Sequence, residues 1–190
     1  SMDKIISNTI VGFSKYLKKI RPDLVIIHGD RSESLACSIS CLTNAILCAH
    51  IEGGEVSGTL DEMYRHSISK LSTHHFVSNE NAMKRLMQMG EDKERIYNVG
   101  APNVDLILRK DRPTLKDLKI RYDYIFDEYG ILLFHSVVTE LKSLKDQINC
   151  LITAIKKTNY NFIVIFPNND QGSLIIKEAL KKRLTEKRFR

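Results

Sequence analysis

The sequence predicts an α/β protein built on parallel sheets and organised as two units. Three observations carry that reading. Short apolar runs alternate with stretches of helical period, and β-α-β alternation implies parallel strands joined by right-handed crossovers. Two of those runs, at 24–27 and 46–50, lead into ionisable clusters followed by small residues and a helical pattern. The carboxyl edge of a parallel sheet reads in this way, and ligands of open α/β sheets bind there. From Arg109 to Tyr129 the pattern weakens and charges crowd in, as in a connection to a second unit. The expected boundaries are 1–108 for the first unit, 109–128 for a hinge region and 129–190 for the second.

The elements follow in order. Ile6, Ile10, Phe13, Leu17 and Ile20 recur at spacings of four and three, an amphipathic helix that Arg21-Pro22-Asp23 stops. Leu24–Ile27 is apolar on both faces, as a buried parallel strand is. His28-Gly29-Asp30-Arg31 is a turn in which glycine permits close backbone approach. A helix at about 34–45, rich in Ala, Cys and Ser, suits close packing on a sheet, and 46–50 is the next strand. After a glycine-rich loop, Thr59 and Glu62 fit a capping box. Leu60, Met63, Tyr64, Ile68 and Leu71 mark one apolar face of the helix behind it. A strand at 75–77, a helix from Asn79 to Met89 closed by Gly90, and a strand at 96–100 complete the first unit. In the second, a strand at 131–134 ends at His135-Ser136 and a long helix covers about 139–157. A strand at 161–166 then ends in Pro167-Asn168-Asn169-Asp170, before a last helix at about 173–182.

Composition narrows the class. A chain of 190 residues with 43% hydrophobic content can bury a real core. No apolar run approaches the roughly 20 residues of a membrane span, and the start has no signal-peptide core, so the expected location is the cytoplasm with no membrane partner. Cys37, Cys41, Cys48 and Cys150 lack a Cys-x-x-Cys spacing and read as reduced packing residues. The net charge of +6 owes much to Lys177–Arg190, where seven basic residues face only Glu178 and Glu186. Few aromatics interleave with them, so this is a solvated helix face rather than a nucleic-acid surface.

The chemistry gathers at the predicted sheet edge. Asp30, Glu52, Glu55, Asp61 and Glu62 stand near His28, His50, Arg31, Arg65 and His66. Crowding and partial burial separate carboxylate pKa values and let them divide acid and base work. Gly53, Gly54 and Gly58 let a substrate lie against the backbone, and the helix N-terminus after Thr59 could face an anion such as a nucleotide phosphate. The same residues admit a structural reading. Asp61–Arg65 and Glu62–His66 are four apart and suit surface ion pairs, each worth a few tenths of a kcal/mol, and Asp30 suits a cap on the following helix. Spacing leaves both readings open. No helical His-x-x-x-His pair appears, and neither a metal nor another cofactor is expected. In the second unit His135 and Asn168–Asp170 stand at successive strand ends. A histidine there suits an acid, a phosphate contact or a cap.

Five segments together resemble the UDP-N-acetylglucosamine 2-epimerase family. They are His28-Gly29-Asp30-Arg31, His50-Ile51-Glu52-Gly53-Gly54-Glu55-Val56-Ser57-Gly58, the Asp61–His66 segment, Val99-Gly100-Ala101-Pro102, and Phe166-Pro167-Asn168-Asn169-Asp170-Gln171-Gly172-Ser173. The long middle motif resembles the hydrolysing branch, which forms N-acetylmannosamine for sialic acid synthesis. The other branch typically shows His-Val-Glu-Ala-Gly-Leu-Arg at that place. The resemblance implies a glycosyltransferase-B-like fold of two Rossmann-like domains, both incomplete in this chain, with a UDP-sugar bound between them. It also implies elimination of UDP to a 2-acetamidoglucal, followed by hydration.

By motif, Asp30, Glu52 and Asp61 match the family's catalytic carboxylates. His28, Arg31, His50 and Arg65 match supporting, substrate-binding positions. His135 matches a second-domain histidine near the UDP phosphates, and Asn168 and Asp170 match positions by the nucleotide. The chain departs from the pattern in three places. His135-Ser136-Val137-Val138-Thr139 replaces the usual His-Pro-Val-Thr. The family's first strand would precede residue 1, and its Gly-Asn-Ser-Ser-x-Gly-x-Arg-Glu segment would follow residue 190. The resemblance therefore implies an enzyme, a homodimer or larger, whose activity these residues alone do not supply. The alternatives are a related 2,4-diacetamido sugar nucleotide of a legionaminic-type pathway as substrate, a glycosyltransferase of the same architecture, and a catalytically dead sugar-nucleotide-binding or oligomerisation module.

Overall fold

The computed structural model describes residues 2–58, 60–123 and 125–190. The chain divides into two compact units, 1–110 and 111–190. In the first, α1 (Met2–Ile20) leads into β1 (Leu24–His28), followed by α2 (Ser32–Thr43), β2 (Leu47–Ile51), α3 (Leu60–Leu71), β3 (His74–Val77), α4 (Glu80–Gln88), β4 (Ile96–Asn98) and α5 (Pro102–Leu108). The four strands lie in chain order and are all parallel. The register sets Ile27 beside His50, and His50 beside His75. All four strands therefore point their carboxyl ends the same way, which collects the turns after β1 and β2 on one edge.

Local sequence explains how the helices seat. Ala36 and Ser40 on α2 are fully buried, and small residues there let α1 approach closely. The Ser40 hydroxyl is 2.9 Å from the Ala36 carbonyl and 3.3 Å from the Ile10 carbonyl across that contact. Leu17, Ile27, Cys41, Cys48 and Ile68 form one core, and Val77, Ala82, Leu86 and Ile96 another under α4. Asn79 caps α4 by accepting from the Ala82 N–H at 2.9 Å. Cys37, Cys41, Cys48 and Cys150 are free thiols, with Cys41 and Cys48 in the core and Cys150 exposed.

The second unit contains α6 (Leu115–Tyr122), β5 (Gly130–Leu133), α7 (Leu144–Lys156), β6 (Phe162–Ile165) and α8 (Ser173–Arg183). β5 and β6 pair in parallel, with Leu132 beside Val164. Leu132, Leu144, Ile148, Ile152, Ile155, Ile176, Leu180 and Phe189 close its core. No helix among the described residues is long and apolar enough to cross a membrane.

Several sequence expectations are revised. Among the described residues β1 pairs with β2 alone; Ile27 is buried, while Leu24 and Ile26 are 42% and 62% exposed. On α3, Leu60 and Met63 are exposed, and the buried face consists of Arg65, Ile68 and Ser69. Ile68, part of the expected apolar face, packs into the core with Leu17 and Ile27, while Arg65 and Ser69 turn to polar partners at the sheet edge. Within 109–128 the chain forms α6, which opens on a Thr114–Asp117 capping box that hydrophobic pattern alone does not reveal. The long helix expected at 139–157 is split into a 3-10 turn, Val138–Glu140, and α7. The basic tail is more than a solvated helix face. Arg188 donates to the Lys156 carbonyl at the end of α7, and to that of Thr158 beyond it. Phe162 also pairs with the backbone of Arg188 and Arg190. The proposed Thr59 cap lies outside the described residues.

Ile152 on α7 is fully buried. Ile152→Ala is expected to destabilise the second unit by about 2–5 kcal/mol, read as a lower urea midpoint; an unchanged midpoint would contradict the core assigned here.

Candidate active site

The turn after β1 and the loop after β2 build the site. Glu52 lies just past β2 with φ +64°, a left-handed backbone unusual for a residue with a side chain. Its amide donates to the Phe76 carbonyl at 2.9 Å, which anchors that conformation on β3. The strained geometry aims the Glu52 carboxylate at His28 Nε2, 2.8 Å away. Strain of this kind persists only where the surroundings over-determine it, and it concentrates at functional sites.

Asp30 pairs with Arg65 of α3 through Nη2. Arg65 also donates through Nη1 to the Glu55 carbonyl at 2.9 Å, and so ties the turn, the loop and the helix together. Arg65 is buried, so its pairing belongs to the interior of the site rather than to an open helix surface. Asp30 does not cap α2. The N-cap is Arg31, which uses no side-chain cap bond, while the Asp30 carboxylate turns to Arg65. Asp30 and Glu52 remain about a quarter exposed at their side chains, 25% and 29%, so a ligand can reach both.

His50 behaves differently from its neighbours. It is fully buried, with Nε2 2.9 Å from the Gly29 carbonyl and Nδ1 2.9 Å from Ser69 Oγ. Both ring nitrogens are thus engaged inside the protein, and the ring links Ser69 to the turn at Gly29. Burial pushes its pKa down from the usual 6.5 to about 4, against the raising effect of the Gly29 carbonyl. His75, beside it on β3, is also buried and lowered by desolvation, although Glu91 at 3.1 Å opposes the shift.

The glycine-rich loop is shaped by its own backbone. Gly54 has φ +79°, and a Cβ there would stand 2.5 Å from the Ala82 carbonyl oxygen, so only glycine fits. The Glu62 carboxylate accepts the Ser57 and Gly58 N–H groups at 2.8 and 2.7 Å. Those two donors hold its pKa below the usual carboxylate range. His66 is 3.9 Å from Glu62, the i,i+4 neighbour that the spacing indicated. Asp61 lies exposed in the first turn of α3, one turn from Arg65, where the helix dipole favours a carboxylate.

In the second unit, His135 is exposed just after β5. Asn168 Oδ1 accepts from the Asp170 N–H at 3.1 Å, and Ser136 Oγ donates to the Gln171 carbonyl at 2.6 Å. The loops after β5 and β6 are therefore joined to each other. Among the described residues, no group of three or more His, Cys, Asp or Glu could hold a metal ion.

Sequence reasoning passed over Ser69, Asn79 and Arg85. Asn79 Nδ2 donates to Glu55 Oε1 at 2.6 Å, and Arg85 donates to the Gly54 carbonyl. Ser69 sits four residues after Arg65, so a polar stripe at helical spacing was the available signal.

Comparison with known proteins follows the same lines. A family model described as UDP-N-acetylglucosamine 2-epimerase matches residues 1–189. A Neisseria meningitidis serogroup B protein named UDP-N-acetylglucosamine 2-epimerase is 41% identical over 187 residues, 98% of this chain and 49% of its own length. A Legionella pneumophila protein named UDP-N,N'-diacetylbacillosamine 2-epimerase (hydrolyzing) is 40% identical over 183 residues, 96% of this chain and 48% of its own. The chain thus spans about half the length of these curated relatives. The crystal structure of UDP-GlcNAc 2-epimerase from Neisseria meningitidis bound to UDP-GlcNAc superposes with a TM-score of 0.75 at 22% identity, covering 98% of this chain and 53% of that one. The parallel-sheet α/β architecture is that of such glycosyltransferase-B-type structures.

The buried histidine sets a pH dependence. An unfolded His50 takes a proton near 6.5, whereas the folded one resists until about 4. Its contribution to stability is therefore complete above pH 6.5 and lost as pH falls toward 4. Between pH 7 and 4.5 it should cost about 2–3 kcal/mol, measured by urea unfolding at both values, and His50→Gln should remove that part of the slope. An identical slope in the variant would count against the burial described.

Proposed function

The chain belongs to the UDP-N-acetylglucosamine 2-epimerase family, and on that premise we propose that it carries the catalytic carboxylates of a hydrolysing 2-epimerase acting on a UDP-activated 2-acetamido sugar. The observation that carries this reading is the pair of accessible carboxylates, Asp30 and Glu52, at the ends of adjacent strands, each held by a basic side chain. Crowding with Arg65 and His28 orients them, while the exposed turn leaves room for a sugar.

The reaction divides into two balanced steps. A carboxylate takes the proton from sugar C2; the C–H electron pair becomes the C1–C2 double bond, and the C1–O bond breaks as UDP leaves with its electrons. Water then adds, hydroxyl to C1 and proton to C2 from the opposite face, to give N-acetylmannosamine. Asp30, Glu52 and Asp61 divide the proton transfers, and a positioned acid or base contributes roughly 10²–10⁴-fold. His28, Arg31 and Arg65 steady the substrate and the carboxylates, and His135, Asn168 and Asp170 serve the nucleotide. The departing pyrophosphate needs positive charge, which the basic side chains supply.

The motif His50–Gly58 supports the hydrolysing branch over the non-hydrolysing one. UDP-N-acetylglucosamine is the first substrate of this reading, for sialic-acid-type sugar synthesis. A UDP-2,4-diacetamido sugar is the second, supported by the comparable identity of the Legionella relative. Association through first-unit helices belongs to the same reading, since α1 leaves Val11 and Tyr16 each 56% exposed.

The test is UDP release from both sugar nucleotides by the longest product of the reading frame that encodes these residues. The reading predicts turnover of one of them, and a fall of about 10²–10⁴-fold in kcat for Asp30→Asn and Glu52→Gln. Turnover undiminished in both variants would remove the carboxylates from the chemistry.

A further inference from the structure

Two contacts from one helix converge on one turn. Arg65 of α3 holds the carboxylate of Asp30, and Ser69, one helical turn on, reaches Gly29 through the ring of His50. The donors and acceptors of this relay can be assigned. The Gly29 carbonyl only accepts, so His50 Nε2 must carry the proton and donate to it at 2.9 Å. In a neutral ring Nδ1 is then an acceptor, and the Ser69 hydroxyl must donate to it. Ser69 Oγ has the Arg65 carbonyl as a second possible acceptor at 3.1 Å, but its single proton is taken by the nearer ring nitrogen at 2.9 Å. Ser69 and His50 are both fully buried, so no solvent substitutes for either contact.

A separate feature is fitted to the same pair. Gly53 lies against it so closely that a Cβ would stand 2.7 Å from Ser69 Oγ and 2.8 Å from His50 Nδ1. Glycine is required there by space, because the hydrogen bond occupies the place of a side chain.

We propose that Ser69 is a positioning residue for the reaction: its hydroxyl orients His50 so that Nε2–H grips the Gly29 carbonyl and fixes the turn that presents Asp30. This rests on the reading of Asp30 as a catalytic carboxylate. His50 then acts through the backbone of the turn, with no part in proton transfer to the sugar. Arg65 and Ser69 set direction and depth of the same carboxylate from a single rigid helix.

The first test needs no activity. In a long-range ¹H–¹⁵N spectrum of the histidine-labelled chain at pH 7, His50 should be neutral with its proton on Nε2; a proton on Nδ1, or a charged ring, overturns the proposal. The second test is Ser69→Ala. Its Gly29 and Asp30 amide resonances should move, and kcat should fall about 10- to 100-fold with KM within about threefold, as a misplaced catalytic group does. Gly53→Ala should reproduce that pattern by wedging the pair apart. A folded Ser69→Ala protein with unmoved Gly29 and Asp30 resonances, or with wild-type kcat, overturns the assignment. Should either variant fail to fold, the tautomer in the unmodified chain still decides. If no product of the reading frame releases UDP, the functional reading falls, while the spectra still report whether Ser69 and His50 hold the turn.

Discussion

The ion pair between Arg65 and Asp30 is the constraint on which the site depends. A guanidinium that is nearly buried is costly unless its charge and its donors are met. Arg65 meets them with the Asp30 carboxylate on one side and the Glu55 carbonyl on the other. One side chain thereby fastens α3 to the turn after β1 and to the loop after β2. The carboxylate is left partly open to solvent, oriented but not sealed. That combination suits a group which must both hold a position and meet a ligand.

The loop after β2 shows the same economy in backbone terms. Glu52 takes a left-handed conformation that its side chain disfavours, and the Phe76 carbonyl holds it there. Gly53 and Gly54 follow because neither position has room for a Cβ: one lies against the His50–Ser69 pair, the other against the Ala82 carbonyl. The motif is therefore dense in glycine for steric reasons, and the same sterics carry Glu52 to His28.

Much of this was legible in the sequence, and the exceptions have physical causes. The six strands and the main helices followed from period and punctuation, because those depend on local pattern. The polar clusters at 28–31 and 50–58 lie at strand ends, as parallel topology requires. The buried face of α3 was legible at Ile68 but not at Arg65 and Ser69. Leu60 and Met63 obey apolar spacing yet face outward, while Arg65 and Ser69 turn inward to partners on other elements. Pair contacts across the fold outrank hydrophobic period there, and spacing along one helix cannot show them. The role of His50 was hidden for the same reason: its two partners are 21 and 19 residues away. A capping box at Thr114, by contrast, is a local signal that hydrophobic pattern overlooked.

The most direct measurement of the central claim is the fate of the sugar's C2 hydrogen when the longest product of the reading frame acts on a UDP-2-acetamido sugar in heavy water. Proton removal by a carboxylate of this cluster predicts free 2-epimerised sugar carrying deuterium at C2, appearing together with UDP. Release of UDP with the original C2 proton and configuration retained would mean simple hydrolysis at C1, and would contradict the account.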